Sequence, residues 1–166
     1  MAHPLLLVTD TNIWIDLENG SLLDTIVDLP YQFIMTDFAA NELLPNQWTT
    51  VMSLGVQAYP LSSEQISDIY DLNQHHKTVS TTDISSLVLA RDLQAILLSG
   101  DNPLRKLAEE FVIEVHGVLW VLDKIVQHQL ILRRRACFAL KRILAENARL
   151  PKGPCQKRLR LWCSEP

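Results

Sequence analysis

Cysteine is scarce and odd in number. The 166-residue chain has three, Cys137, Cys155 and Cys163, all late in the sequence. None forms the C-x₂-C pair of a zinc knuckle. The pattern predicts three reduced thiols in a reducing compartment. Glycine is also rare, with five residues, and neither G-x-G-x-x-G nor G-x-x-x-x-G-K-[ST] occurs, which disfavours nucleotide-loop enzymes. No apolar run approaches the ~18 residues of a membrane span. No Lys or Arg precedes Leu5-Leu6-Leu7-Val8, a run too short for a secretory h-region. A soluble, cytoplasmic protein with no membrane association is the expectation.

Positive charge is nearly missing from most of the chain. Residues 1–132 carry 17 Asp and Glu against 5 Lys and Arg, a balance of −12, whereas residues 133–166 carry 10 Lys and Arg against 2 Asp and Glu, a balance of +8. Such a lopsided distribution costs self-repulsion unless something uses it. With 48% hydrophobic and 20% charged residues, intrinsic disorder is excluded for most of the chain. The length suits one domain, which should bury roughly 70% of its unfolded surface and needs neither disulfide nor metal merely to fold.

The apolar pattern alternates strands with helices. Leu5–Thr9 is a continuous apolar run, as expected for a strand covered on both faces. A helix over Asn12–Glu18 follows and stops at Gly20, and a short one runs from Ser21 to Leu29. Phe33–Thr36 is a second strand, followed by a helix over Asp37–Leu44. Val56–Leu61 is a weaker strand whose Pro60 suggests an edge or a strand end. Helices are predicted over Ser62–Lys77 and from Ser80, then a strand over Ala95–Ser99. A helix opens at Pro103, a fifth strand covers Phe111–Val115, and helices cover Val118–Gln129 and Ile131–Leu150. Pro151-Lys152-Gly153-Pro154 breaks the last helix before a short basic tail. This order predicts an α/β domain with a mostly parallel five-stranded sheet. Residues 1–132 would form its body, and residues 133–166 a basic helical C-terminal extension of the same domain.

In open α/β sheets ligands sit beyond the carboxyl ends of the strands. Asp10 and Asp101 each follow a strand, while Glu42 and Asp83 lie on helices that start at the same edge. Each acid taken alone also reads as a helix cap or a surface residue, and Ser80-x-x-Asp83 resembles a capping box. Four carboxylates at one edge would raise one another's pKa or recruit a cation. Hard oxygen ligands suit Mg²⁺ or Mn²⁺, and such a site suits metal-assisted phosphodiester hydrolysis. Other phosphoryl chemistries fit less well. Ala58-Tyr59-Pro60-Leu61 lacks a receiver domain's acceptor Asp, and Asp10-Thr11-Asn12 puts Asn where a haloacid-type phosphatase needs an acid.

Four segments carry a family resemblance: Val8-Thr9-Asp10-Thr11-Asn12-Ile13, Asp37-x₄-Glu42-Leu43, Ser80-Thr81-Thr82-Asp83-x₃-Leu87-x₂-Ala90 and Leu98-Ser99-Gly100-Asp101-x₂-Leu104-Arg105-x₂-Ala108. In order and spacing they resemble the motifs of PIN-domain ribonucleases, with the VapC-like toxins and small prokaryotic PIN proteins nearest, over residues 4–132. The resemblance implies a three-layer α/β/α sandwich and Mg²⁺- or Mn²⁺-dependent endonuclease activity on RNA. It places Asp10, Glu42, Asp83 and Asp101 on the acidic site positions. Asp10, Asp83 and Asp101 would hold the metal, with Glu42 as a further ligand or the base that orients the attacking water. Asn12 and Ser99 would support them, and hydrolysis would leave a 5′-phosphate and a 3′-hydroxyl. An antitoxin partner and a homodimer are expectations from the same resemblance, the dimer also from the apolar face of Val118–Gln129. The segment after Gly117 is longer than in the shortest family members. A non-catalytic PIN-fold module that binds RNA or protein is the alternative.

The remaining polar features are open to plainer readings. His75-His76 lacks the i, i+4 spacing of two ligands on one helix face. His116 and His128 read as polar surface or near-core residues, and Trp14 and Trp120 as core or interface. The basic end, beginning at Arg133-Arg134-Arg135, is a solvated helix face, a phosphate-contacting RNA surface, or a dock for an acidic face of a partner or second subunit.

Overall fold

The computed structural model describes residues 2–146 and 149–164. Strands β1 (Leu5–Thr9), β2 (Tyr31–Thr36), β3 (Gln57–Tyr59), β4 (Ile96–Leu98) and β5 (Val115–His116) form one sheet in the order β3-β2-β1-β4-β5. All four pairings are parallel, and Leu7 of the central strand lies between Phe33 and Ile96. The helices are α1 (Thr11–Asn19), α2 (Leu23–Ile26), α3 (Asp37–Glu42), α4 (Pro45–Ser53), α5 (Ser63–His75), α6 (Thr81–Leu93), α7 (Asn102–Glu110), α8 (Val118–Gln127), α9 (Arg133–Ala145) and α10 (Lys152–Cys163).

Strand side chains alternate between two apolar layers, one on each face of the sheet. Leu7, Phe33, Met35, Ile96 and Leu98 belong to one buried cluster together with residues of α1, α8, α9 and α10. Val8, Ile34 and Leu97 belong to the other, against α6 and α7 and against Ile69 and Leu72 of α5. Period-two alternation with both faces covered explains why the strands read as unbroken apolar runs. The result is the expected three-layer α/β/α arrangement around a parallel sheet.

The C-terminal part is more structured than a long helix and a tail. The predicted helix over residues 131–150 ends at Ala145, and the basic tail forms α10. Residues 147 and 148 of that predicted helix lie outside the described residues. Pro151 stands at the N-cap of α10, and Cys155, Leu159 and Trp162 recur at helical spacing against the first cluster. The apolar stripe of α9, with Ala136, Ala139, Leu140 and Ile143 buried, joins the same cluster. Gly20 closes α1 against this helix. A Cβ built there would come 3.1 Å from Ile143 Cδ1, so the residue serves close approach.

Three further expectations need correction. Cys137 and Cys163 are joined in a disulfide, with Cα atoms 5.3 Å apart, and Cys155 alone remains free and buried. The expectation of three reduced thiols overlooked that the tail folds back as a helix along α9. The fifth strand shrinks to two residues because α7 ends in a turn through Phe111 and Val112, where Val112 takes φ +55°. Helix α4, opened by Pro45, lies where no helix was predicted. Among the described residues, no helix is long and apolar enough to cross a membrane.

Candidate active site

The strand order places a topological switch at β1, whose chain continues to β2 on one side while β4 pairs on the other. The crevice beyond the carboxyl ends of adjacent strands is the usual ligand position in such sheets. Asp10 follows β1 and Asp101 follows β4 there. The Asp10 N–H donates to the Leu98 carbonyl at 3.0 Å, which carries the β1–β4 pairing to the edge of the site.

Asp10 is 5% exposed. One carboxylate oxygen accepts from the Ile13 N–H at 3.1 Å and caps α1, and the other accepts from the Ser99 hydroxyl at 2.6 Å. Burial pushes its pKa up to about 6, against the opposing hydrogen bonds from Ser99 and Ile13, with further upward pressure from the charges of Asp83 and Asp16. Ser99 is fully buried and also accepts from the Asp101 N–H at 3.1 Å, so one hydroxyl ties the two strand ends together. The half-buried Asp101 caps α7 by accepting from the Leu104 N–H at 2.9 Å.

Asp83 stands in the first turn of α6, where its N–H donates to the Ser80 capping hydroxyl at 3.0 Å. Its pKa is raised, chiefly by burial. A hydrogen bond from Ser80 opposes the rise, and the charges of Asp101 and Glu42 add to it. Glu42, the last residue of α3, is exposed and accepts from the Thr11 hydroxyl at 3.3 Å. Thus Asp10 feels Asp83, and Asp83 feels Asp101 and Glu42. The four acids of the sequence reading form one chain of mutual repulsion at one sheet edge. Asn12 is exposed in the first turn of α1 and lines the adjoining cleft.

Asp16 is a fifth acid that sequence reasoning missed. It lies four residues after Asn12, on the same face of α1, and lines the same cleft. Burial alone pushes its pKa to about 6. The i, i+4 spacing from Asn12 was the signal that could have found it. Of the predicted contact residues Arg133–Arg135, Arg135 lies away from the acids. Arg135 donates to the Ser21 carbonyl at 3.3 Å, just past the C-terminal end of α1, whereas Asp10 caps its N-terminal end.

The donor set is entirely oxygen, which suits a hard divalent ion. Among the described residues, no three His, Cys, Asp or Glu side chains are grouped so that they could hold a metal ion. Mg²⁺ commonly takes one or two protein carboxylates and completes its shell with water, so three converging carboxylates are not required. The raised pKa values of Asp10 and Asp83 mark where a cation would relieve charge. Asp10, Asp83 and Asp101 offer the oxygen donors such an ion takes, although the three are not gathered into one cluster.

A parallel α/β domain with coupled acids at its switch point is thus the class defined by fold and site. The PIN-domain family profile (DUF3368) matches residues 6–164, and the chain belongs to that family. No curated protein matches the chain. Among solved structures, a PilT N-terminus domain protein from the archaeon Sulfolobus solfataricus P2 is similar in fold, with TM-score 0.52 and 14% identity over 75% of this chain and 97% of that one.

Proposed function

We propose that this chain is a divalent-metal-dependent endoribonuclease whose site comprises Asp10, Glu42, Asp83 and Asp101. The observation that carries the reading is the Ser99 hydroxyl held between the ends of β1 and β4, donating to Asp10 and accepting from the Asp101 backbone. That link fixes the ends of two acid-bearing strands beside each other although burial disfavours the charged form of Asp10. An enzyme that must collect a cation has use for this arrangement.

Asp10, Asp83 and Asp101 would hold Mg²⁺ or Mn²⁺. When bound, the ion supplies positive charge for a phosphodiester and acidifies a water. Glu42, exposed and steadied by Thr11, orients the attacking water and takes its proton. Ser99 keeps Asp10 oriented in its ionised form, and Asn12 faces the substrate side. The products are a 5′-phosphate and a 3′-hydroxyl. In the cell the chain acts as the toxin of a toxin–antitoxin pair, working as a cytoplasmic homodimer.

The test is cleavage of a mixed RNA pool with Mg²⁺ or Mn²⁺, wild type beside Asp10→Asn. Metal-dependent cleavage by wild type and its loss in the variant support the reading. If metal moves neither RNA integrity nor melting temperature, the reading fails. A second reading, a non-catalytic RNA- or protein-binding module, draws on the capping roles of Asp10 and Asp101. It predicts RNA or protein binding that is indifferent to divalent metal.

A further inference from the structure

A cleft of about 740 Å³ opens beside the acids, between Asn12 and Asp16 of α1, the turn after β4, the start of α8 and the segment from Arg149 to Arg158. From its lining we propose that it is a subsite for one nucleotide of single-stranded RNA, flanking the bond to be cut. The inference rests on the ribonuclease reading and adds where the substrate lies.

The size falls within the roughly 300–1,000 Å³ of small-ligand pockets. Gly100 and Asn102 line the cleft and flank Asp101 in sequence, which sets the cleft next to the β4 end of the acid edge. The lining combines the two chemistries that a nucleotide presents. For the phosphate there is Arg105, one turn after Asp101 on α7, whose Nη1 donates to the Ser99 carbonyl at 3.2 Å and leaves the rest of the guanidinium for a ligand. Exposed Arg149 supplies a second cation. For the base there is an aromatic column. His116 stacks on Trp120 with centroids 4.7 Å apart and planes 8° apart, and Trp120 stacks in turn on Tyr31 at 5.8 Å. Both His116 and Trp120 are half-buried and line the cleft. Stacked rings beside cations that track a backbone are the usual means of holding single-stranded nucleic acid.

Two features hold the opposite wall in place. Arg158 makes a two-pronged ion pair with Asp123 of α8, at 2.8 and 2.5 Å, so it serves as wall rather than ligand. The Cys137–Cys163 disulfide fixes the far end of α10 on α9. On this account the C-terminal extension completes the substrate cleft. The phosphate-binding charge beside the acids is then Arg105 and Arg149, not Arg135.

The test is anisotropy of a labelled single-stranded RNA in EDTA, where cleavage is suppressed, alongside cleavage in Mn²⁺. The probes are His116→Ala and the surface change Arg149→Glu, with melting curves to check folding. His116→Ala should weaken RNA binding by about 10-fold or more. Arg149→Glu should weaken it similarly and flatten the salt dependence of log Kd by about 0.7, the share of one phosphate on a single strand. An abasic nucleotide next to the scissile bond should cost wild type about as much as His116→Ala does, and cost that variant little more. Unchanged RNA affinity in both folded variants, with cleavage retained, overturns the subsite and leaves the ribonuclease reading standing. Weakened binding in the variants with no cleavage by wild type keeps RNA in the cleft but overturns its place beside a scissile bond, together with the nuclease. Variants that lose a protein partner while binding RNA normally would show a protein dock and overturn the proposal.

Discussion

Replacing Asp10 by Asn should make the metal-free protein more stable at neutral pH, and the gain should grow with pH. Burial lifts the Asp10 carboxyl from 3.8 to about 6. An acid with a folded pKa above its unfolded value keeps its proton longer in the native state. Between pH 3.8 and 6 the unfolded chain loses that proton first. Stability therefore falls as pH rises through this window, and the penalty is complete above about pH 6. At 1.36 kcal/mol per pKa unit the full effect is about 3 kcal/mol. Asn stands for the neutral acid and is itself a good N-cap, so the Ile13 N–H keeps its acceptor. Urea unfolding in EDTA should show the stability difference between variant and wild type moving in favour of Asn by about 2–3 kcal/mol from pH 4 to pH 7.5. That corresponds to about 5–10 °C in melting temperature. Added Mg²⁺ should then raise the wild type more than the variant, because the ionised carboxylate is the form that binds. A stability difference that is the same at both pH values would refute the argument, since it would mean that Asp10 is not ionised at a cost.

Three other perturbations follow from particular contacts. Cys163→Ser opens the link to Cys137 across 26 residues and should cost about 3 kcal/mol in guanidinium unfolding without reductant, a difference that dithiothreitol should abolish. Ser99→Ala removes the hydroxyl that favours the Asp10 carboxylate, so the acid limb of the pH–rate profile should move up by about one unit; an unmoved limb would show that this hydroxyl does not tune the acid. Gly20→Val should destabilise by about 1–3 kcal/mol, because its Cβ already meets Ile143 at 3.1 Å and the added methyls crowd α9. Ile143→Ala, costly on its own because Ile143 is fully buried, should cost less in the Gly20→Val background than in wild type.

The sheet was legible because both of its faces are covered, which turns each strand into a short unbroken apolar run such as Leu5–Thr9 or Ala95–Ser99. The two-residue β5 was not, because its ends depend on a turn at Val112 that no local pattern demands. Helix α4 was missed because Trp48, Val51 and Leu54 gain their apolar neighbours only once the sheet has formed. The disulfide was hidden for a similar reason. It needs α10 to fold back along α9, and a chain segment rich in Lys and Arg reads as a solvated tail until its Cys155, Leu159 and Trp162 stripe is noticed. Asp16 and Arg105 entered the cleft through tertiary placement, although each stands one helical turn from a residue already singled out.

The choice between caps and catalytic acids, which the sequence left open, is not a choice in this fold. A parallel α/β sheet starts its helices at the carboxyl edge of the strands, so an acid that caps such a helix already stands where a ligand would lie. Asp10 does both with different oxygens, one toward Ile13 and one toward Ser99. Capping therefore does not distinguish a working acid from an ordinary one; burial does. Ser62 and Ser80 cap α5 and α6 with neutral hydroxyls, whereas Asp10 caps α1 with a carboxylate that is 5% exposed and opposed by a neighbouring acid. A neutral Asn or Ser would hold the same N–H with no desolvation penalty. For Asp10 the charge itself is what the capping role leaves unexplained, and a bound cation is what would offset its cost.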